Sequence, residues 1–141
     1  MLVGSFSHTV DSKNRVFVPA KFREDLGEEF VIFRSPSGNH LIMLSTAEWD
    51  NYVAPFKELE RERAERIFRF LTRNAAQVSP DSQGRIVLPQ SLLSYASIEK
   101  TAMIVGCDSY AEIWSEEVYN AYVDEEDTDD IRASLTGVKF R

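Results

Sequence analysis

His8-Thr9-Val10-Asp11-Ser12-Lys13-Asn14-Arg15-Val16-Phe17-Val18-Pro19 returns seventy residues on as Val78-Ser79-Pro80-Asp81-Ser82-Gln83-Gly84-Arg85-Ile86-Val87-Leu88-Pro89. At this constant offset Asp11, Ser12, Arg15 and Pro19 fall on Asp81, Ser82, Arg85 and Pro89. The register holds outside the motif, with Phe22 on Leu92, Trp49 on Tyr119 and Tyr52 on Tyr122. A period this long exceeds a solenoid unit, so the chain is a duplicated small module. Whatever one copy does is done twice, which favours a symmetric target.

Each copy is expected to open with a hairpin. A strand from about Gly4 to Val10 leads into Asp11-Ser12-Lys13-Asn14, and Arg15 to Val18 follow as a short β-branched and aromatic run. Asp and Ser favour turn starts because their side-chain oxygens accept nearby backbone N–H groups. The closing turn position is Asn14 in one copy and Gly84 in the other, the residues that best tolerate left-handed backbone angles. Pro19 and Pro89 end the second strand and start short helices, Ala20–Leu26 and Gln90–Tyr95. A second strand pair follows in each half: Phe30–Arg34 with Leu41–Leu44, and Thr101–Val105 with Ala111–Trp114. Ser45 and Ser115 then N-cap amphipathic helices through Trp49-Tyr52 and Tyr119-Tyr122, and Glu48 completes a capping box only in the first. The order is ββαββα, twice, an α+β chain. Between the halves Phe56 to Arg73 predicts one longer helix with Glu62–Arg66 and Glu65–Arg69 pairs. It either packs on its own module or, since Phe68 and Phe70 cannot both face one core, contributes to a subunit contact. The expected divisions are residues 1–54 (first repeat), 55–74 (inter-repeat helix), 75–123 (second repeat) and 124–141 (an acidic, then basic tail).

Composition narrows the function. A chain of 141 residues can bury a core without a staple, and a lone Cys107 forms no intrachain bridge, which suits a reducing compartment. No basic-then-apolar leader and no membrane-length apolar run are present, so a soluble, cytoplasmic protein is expected, with nucleoid association following only from DNA binding. Net charge is −7, yet nine acidic residues and no basic ones lie between Glu112 and Asp130, and the remainder carries +2. Charges beyond a Debye length of about 8 Å are largely screened, so a local basic patch can act on an acidic protein. Lys13, Arg15, Lys21 and Arg23 face only Asp11 in the first 23 residues.

Arg15 and Arg85 are the chemical centre. A guanidinium binds phosphate or the O6/N7 edge of guanine in bidentate fashion, and a strand pair can carry it into a groove. The alternative is a structural pairing of each arginine with the aspartate four residues earlier, or an aspartate that only binds turn amides. The first copy is better supplied with cations, having Lys13 for Gln83, Lys21 for Ser91 and Arg23 for Leu93. It is therefore expected to make most DNA contacts, with Arg85 secondary; His8 either touches phosphate or is satisfied within the fold. No metal, cofactor or small-molecule substrate is expected: His8, His40 and Cys107 are scattered, and no metal-ligand spacing or phosphate loop exists. A hydrolase using Asp11 and Asp81 would lack an oxyanion donor. A scaffold whose acidic segment Glu112–Asp130 engages a basic partner is the main alternative outside DNA binding.

The run His8-Thr9-Val10-Asp11 with Lys13 and Arg15, then Val18-Pro19-Ala20-Lys21-Phe22-Arg23, resembles the MraZ family of bacterial transcriptional regulators. So do Asp81, Gln83-Gly84-Arg85-Ile86, Leu88-Pro89 and Glu112-Ile113-Trp114-Ser115, and the resemblance spans nearly the whole chain to about Asp124. It departs at Asn14, where the family usually has Gly, and at Leu71-Thr72-Arg73-Asn74-Ala75. The resemblance implies a SpoVT-AbrB-like fold: two repeats interdigitating as a swapped-hairpin (double-split) β-barrel with peripheral helices, assembled into a ring-like homo-oligomer. It implies binding to short G-rich direct repeats in double-stranded DNA near the promoter of the family's own operon of division and cell-wall genes, typically repressing it. An AbrB-like or antitoxin-like regulator of another operon is the near alternative. By position, the implied DNA contacts are Lys13 and Arg15, then His8, Lys21, Arg23 and Arg85.

Overall fold

The computed structural model describes residues 1–138. The first copy contains β1 (Ser5–Thr9), β2 (Arg15–Phe17), α1 (Ala20–Leu26), β3 (Phe30–Arg34), β4 (Leu41–Ser45) and α2 (Thr46–Lys57). After α3 (Arg61–Thr72), the second contains β5 (Ala76–Val78), β6 (Arg85–Val87), α4 (Gln90–Tyr95), β7 (Thr101–Gly106), β8 (Ala111–Ser115) and α5 (Glu116–Glu125). A short α6 (Thr128–Ser134) ends the described chain, and residues 139–141 of the expected tail lie outside it.

The expected ββαββα order is found in both copies. Ser45 Oγ accepts the Glu48 amide at 3.2 Å and Ser115 Oγ the Val118 amide at 3.5 Å, so both serines cap their helices. The expected single helix from Phe56 to Arg73 is instead two. Pro55 lacks an N–H in the last turn of α2, and the Glu60 side chain restarts the ladder by accepting the Glu62 amide at 3.2 Å. On α3, Glu65 pairs with Arg69 as expected, but also with Arg61, and the Glu62–Arg66 pair does not form.

The hairpins are the larger correction. Strands flanking each Asp-to-Arg turn do not pair with one another. β1 pairs antiparallel with β7 of the other copy, and β5 pairs with β3. β2 pairs with β6, and β4 with β8. Only β3–β4 and β7–β8 pair within a copy. A six-stranded sheet, β1-β7-β8-β4-β3-β5, and a separate two-stranded ribbon, β2-β6, result. β1 and β5 end the large sheet, so the hydrogen-bonded ladder is not a closed barrel among the described residues.

Burial explains this arrangement. Alternation along each strand sends Phe30, Ile32, Leu41, Met43, Ala102, Ile104, Ala111 and Ile113 to one face of the sheet. The ribbon covers that face with Val16 and Ile86, continued by Val18 and Leu88, and α1 and α4 seal it with Phe22, Leu26, Leu92 and Leu93. Truncating a buried Phe such as Phe22 to Ala costs about 3–5 kcal/mol. On the opposite face Val31, Phe33, Ile42 and Leu44 meet Val53 of α2 and Leu71 of α3. Phe68 and Phe70 both pack at this second cluster, contrary to the expectation that they could not share a core. Phe70 does so under the Arg34 guanidinium, 4.2 Å from its ring, and Arg34 Nη2 donates to the Phe70 carbonyl at 2.6 Å.

Candidate nucleic-acid interface

The two turns are nearly superposable in chemistry. Asp11 Oδ1 accepts the amides of Lys13 and Arg15, each at 2.9 Å, and Asp81 Oδ1 accepts those of Gln83 and Arg85, each at 2.9 Å. The Asn14 and Gly84 amides donate back to the Asp11 and Asp81 carbonyls at 3.0 and 2.9 Å. Asn14 and Gly84 adopt φ of 61° and 84°, as the left-handed closing position requires. Each turn is also fixed by the other copy: Val18 N–H donates to the Gly84 carbonyl, and Leu88 N–H to that of Asn14.

The remaining carboxylate oxygen binds the arginine. Arg15 Nε donates to Asp11 Oδ2 at 2.7 Å, and Arg85 Nε to Asp81 Oδ2 at 2.9 Å. The aspartates thus bind turn amides and pair with the arginines at once. The Arg15 amide, then its side chain and the Lys13 amide, outweigh desolvation and hold the Asp11 carboxyl below the usual carboxylate range. The Arg85 amide does most to lower Asp81 in the same way. Neither arginine swings free: their side chains are 29% and 20% exposed. The Nε contact orients each guanidinium, and no protein acceptor for the Nη groups is found among the described residues.

Strand exchange brings these side chains together. Arg15 lies opposite Val87 and Phe17 opposite Arg85 across the ribbon. Val16 and Ile86 point into the core, so Arg15, Phe17, Arg85 and Val87 form the outward face. The arginines are diagonal neighbours, about 7–8 Å apart at the backbone. Phe17 and Val87 are 43% and 55% exposed, and sequence reading missed both as surface residues. Parity with Arg15 and Arg85 was the signal that could have found them. His8, half-buried on β1, borders this face with its ring centroid 6.2 Å from that of Phe17. Lys13 is exposed on the first turn, and Lys21 is exposed on α1, away from any ion pair among the described residues.

Arg23 sits apart from this face. Its guanidinium crosses from α1 to the second copy's turn, and a Cβ built at Gly84 would lie 2.7 Å from Cζ. Arg23 Nε is buried without a partner. Arg23 therefore packs as a wedge against Gly84, where the first copy has Asn14 and the smaller demand of buried Leu93.

Strand exchange also gathers His40 and Cys107, which are remote in sequence. His40 stacks on Trp114 at 4.2 Å, and its Nε2 lies 2.9 Å from Glu112 Oε2, close but out of line for a hydrogen bond. Burial pushes the Glu112 carboxyl up, yet the adjacent His40 imidazole and the Trp114 N–H outweigh it and keep it below the usual range. Burial pushes the Cys107 thiol up, with the Glu112 charge adding to it, which disfavours a nucleophilic thiolate. Among the described residues no cluster of His, Cys, Asp and Glu could hold a metal, and no helix is long and apolar enough to cross a membrane.

A family model described as MraZ protein matches the chain twice, over residues 1–71 and 70–139. The chain is 42% identical over 124 residues, 86% of each sequence, to a protein named transcriptional regulator MraZ from Thermoanaerobacter sp. (strain X514). It is 39% identical over 128 residues, 89% of each, to the protein of that name from Acetivibrio thermocellus. With the one from Ligilactobacillus salivarius it shares 37% identity over 139 residues, 96% of each.

Proposed function

The chain belongs to the MraZ family, and from that premise we propose that it is a DNA-binding transcriptional regulator whose β2–β6 ribbon reads a duplex. A two-stranded ribbon fits the major groove of B-DNA. Arg15 and Arg85, oriented by Asp11 and Asp81, present their Nη groups to guanine edges or phosphates, and Lys13 adds a phosphate contact. Phe17 and Val87 supply apolar contact between the arginines. Lys21 and His8 lie outside this centre as secondary phosphate contacts, and Arg23 supports the second turn.

The observation that carries this reading is the placement of both duplicated arginines on one outward ribbon face. Relatives bearing the name of a transcriptional regulator support the same class. One bidentate arginine discriminates by only about 1–3 kcal/mol, too little to select an operator alone. An oligomer joining several ribbons gains about 10²–10⁴ through effective concentration if the sites are spaced to match. The family resemblance makes short G-rich direct repeats upstream of the protein's own operon of division and cell-wall genes the target, and the need for several joined ribbons fits a repeated site. They would be bound by a ring-like homo-oligomer, with repression as the outcome.

Fluorescence anisotropy on a duplex from upstream of its own coding region tests the assignment. Arg15→Ala should weaken binding by about 5- to 150-fold, the equivalent of 1–3 kcal/mol, and Arg85→Ala by less, with circular dichroism and oligomer mass unchanged. Parent-like affinity in the double variant would overturn it.

A further inference from the structure

The copies differ in how they end. In the first, the helix after α2 turns back, and α3 buries Leu71 with Ile67 and Phe68 packed at the second core cluster. In the second, every residue from Ala121 to Val138 is exposed, and α6 buries nothing. Yet α6 is amphipathic. Ile131 and Leu135, one helical turn apart, are 42% and 49% exposed on a segment that carries Glu125, Glu126, Asp127, Asp129 and Asp130. An acidic helix with an apolar stripe has been left without cover.

A complementary surface exists on the first copy. Pro36, Phe56, Ile67 and Phe70 line an open groove of about 610 Å³ beside α3, with Arg63 and Arg66 at its border. Glu65 already pairs with Arg61 and Arg69, so Arg63 and Arg66 have no acidic partner among the described residues. Apolar floor and unpaired cations match an apolar stripe and carboxylates that, Asp129 with its Arg132 pair aside, have no basic partner among the described residues. Opposite charges at the rim of an apolar contact steer the encounter and fix its register.

We propose that the α6 tail of one protomer seats in the α3 groove of a second protomer, Ile131 and Leu135 on Phe56, Ile67 and Phe70, with Glu125 and Asp130 toward Arg63 and Arg66. The contact is heterologous: the donor's groove stays open for another tail, so assembly continues until a ring closes. It supplies a subunit contact for the oligomer invoked above and rests on that reading for its purpose, while its charge pattern is independent of DNA.

A charge swap in the full chain tests it without DNA. Arg63→Glu/Arg66→Glu sets carboxylates of groove and tail against each other; Glu125→Lys/Asp130→Lys sets lysines of the tail against the groove arginines. All four positions are exposed, so circular dichroism should match the parent, and melting should fall by no more than loss of the subunit contact produces. Light scattering at micromolar concentration should give the parent a multiple of the protomer mass and each variant a smaller one. Mixing the two variants should restore a larger, even-numbered assembly, because each tail then meets a groove of opposite charge. Ile131→Ala/Leu135→Ala should also shrink the parent assembly. Parent-like mass in both charge variants, or a mixture that stays dissociated because the tail folds onto its own groove, overturns the proposal. Failure of the ribbon as a DNA reader would appear instead in Arg15→Ala binding.

Discussion

Replacing Gly84 by alanine probes how the two copies depend on each other. Gly84 holds φ of 84°, and an added Cβ would lie 2.7 Å from Arg23 Cζ, 2.9 Å from Nη1 and 3.0 Å from Nε. Ordinary contact begins at about 3.5 Å, so the guanidinium would have to retreat by roughly 0.8 Å. Arg23 Nε is buried, which makes that retreat a forced side-chain adjustment costing about 0.5–1.5 kcal/mol. Left-handed backbone adds about 1–2 kcal/mol for alanine. The expected loss is about 1.5–3.5 kcal/mol. Urea unfolding at fixed protomer concentration should show it as a lower midpoint with an unchanged slope. Arg23→Ala/Gly84→Ala should recover about 0.5–1.5 kcal/mol relative to additivity, since the wedge is gone. Gly84→Asn, which tolerates the turn as Asn14 does at φ of 61°, should retain mainly the steric part. A Gly84→Ala midpoint within about 0.5 kcal/mol of the parent, or strict additivity in the double variant, would refute the wedge.

Three further outcomes are expected. Gly106→Ala would put a Cβ 2.5 Å from the Leu2 backbone, so it should cost about 1–3 kcal/mol and expose the amides of Leu2 and Asp108 to hydrogen exchange; parent-like protection there would contradict the packing. Asp11 and Asp81 have folded pKa values below their unfolded ones, so their stabilisation is complete above the ordinary value of 3.8 and disappears as pH falls through the lowered values. The Lys13 and Gln83 amide resonances should report this transition only in acid, and a comparable change near neutrality would count against it. Lys13→Ala should reduce the slope of log K against log salt by about 0.9 if Lys13 neutralises one phosphate, and an unchanged slope would remove that role.

Local chemistry made the elements legible. Turn residues, the prolines and the strand runs placed α1, α4 and β3 where they are found, because each depends on neighbours within a few residues. Strand partners were not legible from the residues, since β1 presents the same alternation whether its partner is β2 or β7; the interdigitation came only with the family resemblance. Neither signal disclosed that Phe56 to Arg73 breaks at Glu58–Glu60, where one proline and one carboxylate cap outweigh a continuous apolar period. Arg15 was expected from the sequence as the leading DNA-contact candidate, but its adjacency to Arg85 and Phe17 depends on a ladder between residues some seventy positions apart. Arg23 was grouped with the DNA contacts on charge and family position, and only packing revealed its place against Gly84.

Crossed pairing also sets an order on synthesis. Ser5–Thr9 leaves the ribosome early, but its ladder partner, Thr101 to Val105, emerges about a hundred residues later. Until then the nascent N-terminal half carries an unpaired edge and an uncovered apolar sheet face, a state open to wrong partners. Co-translational folding of this chain must therefore wait for most of its length. Two halves made as separate polypeptides should reach the native arrangement only by finding each other.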